Sequence, residues 1–86
     1  MNKLEEELAT LIVGELNLED VQPDTLTPDT PLYGEGLGLD SIDILEIALL
    51  ISKKYGFELR SDNPDNEKIF ASLGALAAYV AAHRIR

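Results

Sequence analysis

The sequence predicts an all-α fold: a four-helix bundle of three main helices and a short third one, with a long ordered loop between helices 1 and 2. Three observations lead there. Residues 2–16 and 40–55 carry apolar side chains at helical spacing, each opened by a capping residue. No stretch alternates apolar and polar residues for long enough to make a strand. Between the two helical segments, residues 17–40 hold Pro23, Pro28 and Pro31 and then Gly34, Gly36 and Gly38, so no helix or strand of ordinary length fits.

In the first helix, Leu4, Leu8, Leu11 and Ile12 form one apolar stripe. Asn2 followed by Glu5 reads as a capping box, and Glu5, Glu6 and Glu7 suit the positive end of the helix dipole. Gly14 weakens this helix without ending it. A loop as long as 17–40 is unusual in a small domain and is often functional. Val21, Leu26, Leu32, Leu37 and Leu39 are expected to pin it to the bundle. In the second helix Asp40 is a good N-cap, Asp43 stands at the third position, Lys53 and Lys54 lie in the last turn, and Gly56 stops it. Residues 60–67 are a polar loop and 68–71 one short helical turn. Ser72 caps a last helix with a stripe at Leu73, Leu76, Ala77 and Val80, and residues 83–86 place cations at its end.

A chain of 86 residues fits one domain, 1–86, with a thin core and little room for a deep cleft. Its 16 acidic residues against 7 Lys and Arg give a net charge of −9. That excludes nucleic acid as a partner, which needs a basic face, and disfavours anionic membranes. It suits partners with basic docking patches. There is no Cys, hence no disulfide, no thiolate nucleophile and no Cys-ligated metal. No apolar run reaches signal-peptide or membrane-spanning length, so a monomer in the cytoplasm is expected.

The second helix has more apolar faces than burial needs. Ile44, Ile47, Ala48, Ile51 and Tyr55 share one stripe that seats it in the core. Ile42, Leu45 and Leu49 lie on the other side, among Asp43, Glu46 and Lys53. Unless the loop or the third helix folds over them, they form a protein-docking face.

Ser41 begins this helix, delivered by a glycine-bearing loop. A helix N-terminus stabilises a phosphate ester, so the hydroxyl is placed for modification. On local chemistry alone the simpler reading is that Ser41 assists Asp40 in capping. A serine nucleophile would need a base, and the one histidine, His83, sits in the last turn among arginines. No G-x-S-x-G elbow is present. The acidic run 62–67 fails the EF-hand pattern, with Pro64 third and Glu67 sixth, and helix capping by Asp62 or Asp65 is the better reading. No enzyme is expected, and no metal.

Leu39-Asp40-Ser41-Ile42-Asp43, continued by Ile44-Leu45-Glu46-Ile47, resembles the D-S-[LI]-D/E signature of acyl carrier proteins. Residues 27–32 resemble the family's loop before the serine, 55–59 the segment closing its second helix, and 69–76 its third-to-fourth helix junction. The resemblance implies that Ser41, beside Asp40, is the attachment point for 4′-phosphopantetheine, transferred from coenzyme A by a phosphopantetheinyl transferase. Acyl chains would ride as thioesters on that arm, sheltered by the protein core and delivered to ketosynthases, acyltransferases and reductases of fatty-acid, polyketide or specialised lipid synthesis. Asp40, Ile42, Asp43, Leu45, Glu46, Leu49 and Lys53 would meet those partners.

The chain departs from the family where many members have further acids along the second helix. Here Ser52, Lys53 and Lys54 stand instead, which implies a specialised carrier with its own partners. Reversing both lysines to Glu should then improve docking to a general fatty-acid synthase enzyme. Two other readings remain. One is a peptidyl or aminoacyl carrier, against which Leu39 and Asp43 speak. The other is an unmodified helical interaction subunit that leaves Ser41 bare.

Overall fold

In the computed structural model, residues 2–33, 36–60 and 62–86 are described. Gly34, counted above among the loop glycines, and Ser61, within the polar loop, lie outside them. Four α-helices follow in order: α1 (Lys3–Glu15), α2 (Ser41–Tyr55), α3 (Asn66–Ile69) and α4 (Leu73–His83). A single 3₁₀ turn, Pro23–Thr25, interrupts the long loop. The described residues form no strand beyond an isolated bridge between Tyr33 and Leu39.

Each long helix starts where its capping chemistry says it should. In α1 the Asn2 side chain accepts from the Glu5 amide at 2.8 Å, and Glu5 accepts from the Asn2 amide at 2.7 Å. This reciprocal pairing explains why Glu5 is buried although charged. The α4 cap is Ser72, accepting from the Ala75 amide at 3.1 Å. At the far end of α2, Gly56 takes the left-handed conformation at φ 74°, where a side chain would be strained. The short α3 begins two residues earlier than the 68–71 turn expected. Asp65 stands at its N-cap without a side-chain bond, and Asp62 is turned toward Arg60 instead, at 2.9 Å. Among the described residues the expected acidic capping is therefore absent: the Lys68 amide that an N-cap side chain would serve already donates to the Asp65 carbonyl, at 2.9 Å.

One core draws on every helix. All five residues of the α2 stripe are buried, as are Leu8, Ala9 and Ile12 of α1, Ile69 of α3 and the whole α4 stripe. Leu4 and Leu11 of the α1 stripe are half-buried at its edge. α1 packs on α4 and on the 3₁₀ turn, and α3 on α4.

The long loop is part of this body. Leu26, Leu32 and Leu39 are buried, with Val21 and Leu37 packed against the core. Its carbonyls serve the start of α4: Thr30 accepts from the Leu73 amide at 3.0 Å and Pro28 from the Gly74 amide at 2.8 Å. Two of the amides that a helix start leaves open are thereby satisfied by the loop. Further along, the Leu37 amide donates to the Pro31 carbonyl and the Leu39 amide to the Leu32 carbonyl, both at 3.0 Å. Gly36 is required in this fold-back, because a Cβ there would fall on the Pro31 carbonyl. The Cα radius of gyration, 11.6 Å, matches the roughly 12 Å of a globular chain this long, which leaves no room for a free linker.

Candidate functional site

The loop ends by aiming the chain into α2. Leu39 is buried, Asp40 is the N-cap in extended conformation, and Ser41 is the first helical residue, exposed. The Asp40 carboxylate accepts from the Asp43 amide at 3.0 Å, and the Asp43 carboxylate accepts from the Asp40 amide at 3.2 Å. This is a complete capping box with aspartates in both places. It displaces the simpler reading of Ser41: the two aspartates do the capping, and the serine hydroxyl makes no hydrogen bond among the described residues.

The same geometry leaves chemistry available. The amides of Ser41 and Ile42 are unpaired among the described residues, since the Asp43 amide goes to Asp40 Oδ1 and the Ile44 amide to the Asp40 carbonyl. The equivalent amides of α4 are consumed by the loop. An exposed hydroxyl beside open amides at the positive end of a helix dipole accommodates a phosphoester. The nearest carboxylates, Asp40 and Asp43, each accept a bond from a backbone amide, which softens their repulsion of a second anion. The residues present fit a phosphate-linked prosthetic group at this position.

Down the outer face of α2, Ile42 is 67% exposed, Leu45 41% and Leu49 56%. Neither the long loop nor α3 folds over them, so the covered alternative does not hold. Glu46 and Lys53 share that face and are exposed. Glu46, Leu49, Leu50 and Lys53 line a shallow cleft closed by Glu15 of α1. A second groove runs between Leu45 and Leu49 and the segment that follows α2, with Leu59 as its floor.

That groove depends on Ser52. Its hydroxyl donates to the Ala48 carbonyl at 2.8 Å and accepts from the Leu59 amide at 2.9 Å. It thus holds the returning segment against the middle of α2. Glu58 and Asp62 flank the groove and both bind Arg60, at 3.1 and 2.9 Å. The Arg60 guanidinium, hydrogen-bonded and charged, holds the Asp62 carboxyl below its ordinary value.

The two lysines in the last turn of α2 part company. Lys54 reaches back to Glu7 of α1 at 3.3 Å, whereas Lys53 makes no ion pair among the described residues. Only Lys53 belongs to the outer face. His83 is committed elsewhere, stacked on Tyr79 at 4.0 Å and bonded to the Tyr79 carbonyl at 2.8 Å. No cluster among the described residues would hold a metal ion.

Comparison with known proteins agrees with this geometry. Residues 6–80 match the family model described as a phosphopantetheine attachment site. Acyl carrier protein 2, mitochondrial, of Arabidopsis thaliana is 35% identical over 69 residues, which are 78% of this chain and 50% of that protein. The acyl carrier protein of Brachyspira hyodysenteriae is 28% identical over 79 residues, 92% of this chain and 94% of its own. That of Helicobacter pylori is 28% identical over 80 residues, 93% and 94%. The chain spans half the length of the plant relative and nearly all of the two bacterial ones. A match running from α1 through most of α4, over an all-helical bundle with a bare serine at the head of α2, leaves one conclusion: the chain belongs to the acyl carrier protein family, carriers rather than catalysts, whose prosthetic group is phosphopantetheine.

Proposed function

We propose that Ser41 bears the 4′-phosphopantetheine arm and that residues 1–86 act as one monomeric carrier domain for acyl intermediates of fatty-acid, polyketide or related lipid synthesis. The observation that carries this is the capping arrangement at α2. Asp40 and Asp43 cap the helix between them, so the Ser41 hydroxyl, inside the matched region, is exposed and makes no hydrogen bond among the described residues. When bound, the group supplies the terminal thiol that a chain without Cys lacks.

The protein's own part is to present the arm and to dock. Asp40, Asp43 and Glu46 offer charge near Ser41, first to a phosphopantetheinyl transferase and later to acyl-processing enzymes. Ile42, Leu45 and Leu49 offer apolar contact, and Lys53 marks the far end. Single exposed ion pairs contribute only about 0–1 kcal/mol, which suits a carrier that must leave each enzyme quickly. Their summed field raises encounter rates by about 10–10³-fold. Once docked, a tethered cargo reaches an effective concentration on the order of millimolar. Among the described residues no helix is long and apolar enough to cross a membrane, and we take the cytoplasm as its working compartment.

Intact mass before and after incubation with coenzyme A and a broad-range phosphopantetheinyl transferase tests this. The wild type should gain one phosphopantetheine and Ser41→Ala none. An unchanged wild-type mass, with the transferase active on a control carrier, would favour the unmodified interaction subunit.

A further inference from the structure

Of the 7 lysines and arginines in the chain, four (Lys53, Lys54, Arg84 and Arg86) gather at the C-terminal end of α2. The segment after α4 folds back onto that end. The amides of Ile85 and Arg86 both donate to the Tyr55 carbonyl, at 2.9 and 3.2 Å, and Arg86 Nη1 donates to the Lys53 carbonyl at 3.3 Å. The Arg84 guanidinium lies 4.8 Å from the centre of the Tyr55 ring. These carbonyls belong to the last turn of α2, where helix amides are lacking and the dipole is negative, so they hold the cations in place. Lys54 is neutralised by Glu7. Lys53, Arg84 and Arg86 are exposed and make no ion pair among the described residues.

Asp40 and Asp43 stand at the opposite end of the same helix, and Glu46 lies between, in the cleft that Lys53 and Glu15 also line. Ten residues separate Asp43 from Lys53, about 15 Å of helix. The exposed Ile42, Leu45 and Leu49 lie along this span. We propose that Lys53, Arg84 and Arg86 form a second docking point, which takes a carboxylate patch on the partner enzyme while the Ser41 end meets a basic one.

This deepens the carrier reading and rests on it. A face of one sign tolerates a partner helix or groove in either direction. Opposite signs at its two ends do not, because the reversed complex sets like charges together. The basic pole therefore selects the orientation that points Ser41 at the active-site mouth. A net charge of −9 opposes an anionic bilayer as the occupant, so a protein carboxylate patch is the fitting chemistry.

The test is a fluorescence-anisotropy titration of the unmodified full chain with a ketosynthase shown to elongate acyl chains on the loaded form of this carrier; the titration itself needs no arm on Ser41. Lys53→Glu should raise Kd about three- to tenfold, as expected for reversing one exposed pair. Arg86→Gln should raise it by less, and Lys3→Glu, with the same change in net charge as Lys53→Glu, should stay within about twofold. Circular dichroism checks that each variant keeps its helices. Equal effects of Lys53→Glu and Lys3→Glu would show that net charge alone matters and would overturn the proposal. So would tighter binding by Lys53→Glu, or a Lys53-dependent affinity for phosphatidylserine vesicles with ketosynthase binding unchanged. Failure of the carrier reading shows up separately, as the missing mass gain on Ser41.

Discussion

Asp40 and Asp43 exchange hydrogen bonds across the first turn of α2, at 3.0 and 3.2 Å, with Ser41 between them taking no part. Modification and stability are therefore separable here. Ser41→Ala should leave unfolding free energy within about 0.5 kcal/mol of wild type while abolishing phosphopantetheine loading. Asp40→Ala should cost about 1 kcal/mol, the usual value of an N-cap. Urea denaturation beside the mass assay reads both. A Ser41→Ala loss as large as that of Asp40→Ala would mean that the serine caps after all.

The two sides of α2 predict opposite outcomes. Ile47 is fully buried, so Ile47→Ala should cost about 2–5 kcal/mol. Leu49 is 56% exposed, and Leu49→Gln should change stability by no more than about 0.5 kcal/mol. In a transfer assay with an acyl-processing enzyme, Leu49→Gln should raise KM and leave kcat unchanged. A large drop in thermal midpoint for Leu49→Gln would move that residue from the docking face to the core.

Ser52 holds the segment after α2 through the Leu59 amide at 2.9 Å. Ser52→Ala leaves that buried amide without its partner and should cost about 1–2 kcal/mol. Hydrogen exchange localises the effect: the Leu59 amide should lose protection, and amides early in α1 should not.

Tyr55 carries a pH dependence. Its hydroxyl is buried and faces the Glu7 carboxylate. Burial first, and the Glu7 charge second, push its pKa from 10.0 up to about 12. The folded state thus holds this proton more tightly than the unfolded chain. Stability from this source is full below about pH 10 and is lost as pH rises toward 12, by on the order of 2 kcal/mol at most. Tyr55→Phe should flatten that part of the profile. At pH 7 its effect should stay within about 1 kcal/mol, because only the contact of the hydroxyl with Glu7 is lost. An unchanged alkaline slope in Tyr55→Phe would assign the loss to other groups.

The charge reversal suggested by the sequence needs dividing. Lys54 pairs with Glu7 at 3.3 Å, so Lys54→Glu breaks an ion pair between α1 and α2 and sets two carboxylates together, at a cost of up to about 1 kcal/mol. Lys53→Glu touches only the outer face. With a general fatty-acid ketosynthase that reads an acidic helix, Lys53→Glu should tighten binding, the reverse of its effect on the chain's own partner. Titrating both enzymes with both variants checks this; no difference between the enzymes would remove the case for a specialised partner set.

Much of this architecture was written in local sequence, because helix starts, stops and stripes depend on residues within one or two turns. Asn2 and Glu5, Asp40, Gly56 and Ser72 mark boundaries that the fold observes, and the α2 and α4 stripes are buried as spaced, while Leu4 and Leu11 leave the α1 stripe at the core's edge. The aspartate pair of α2 was also legible, since acids three residues apart at a helix start can cap reciprocally. Ser41 was legible as a candidate, but its freedom was not: whether a hydroxyl or its neighbour caps a helix turns on side-chain geometry.

What tertiary structure alone decided involves partners far apart in the chain. Lys53 and Lys54 look alike in sequence, and only the packing of α1 on the bundle pairs one with Glu7 and leaves the other outside. The loop carbonyls of Pro28 and Thr30 meet the start of α4, Leu59 meets Ser52, and residues 84–86 meet the end of α2, each after the chain has reversed. The sequence determined which residues make helices and which serine heads the second. The tertiary structure decided which faces stay open to a partner, because exposure is a property of what packs elsewhere and no local pattern encodes it.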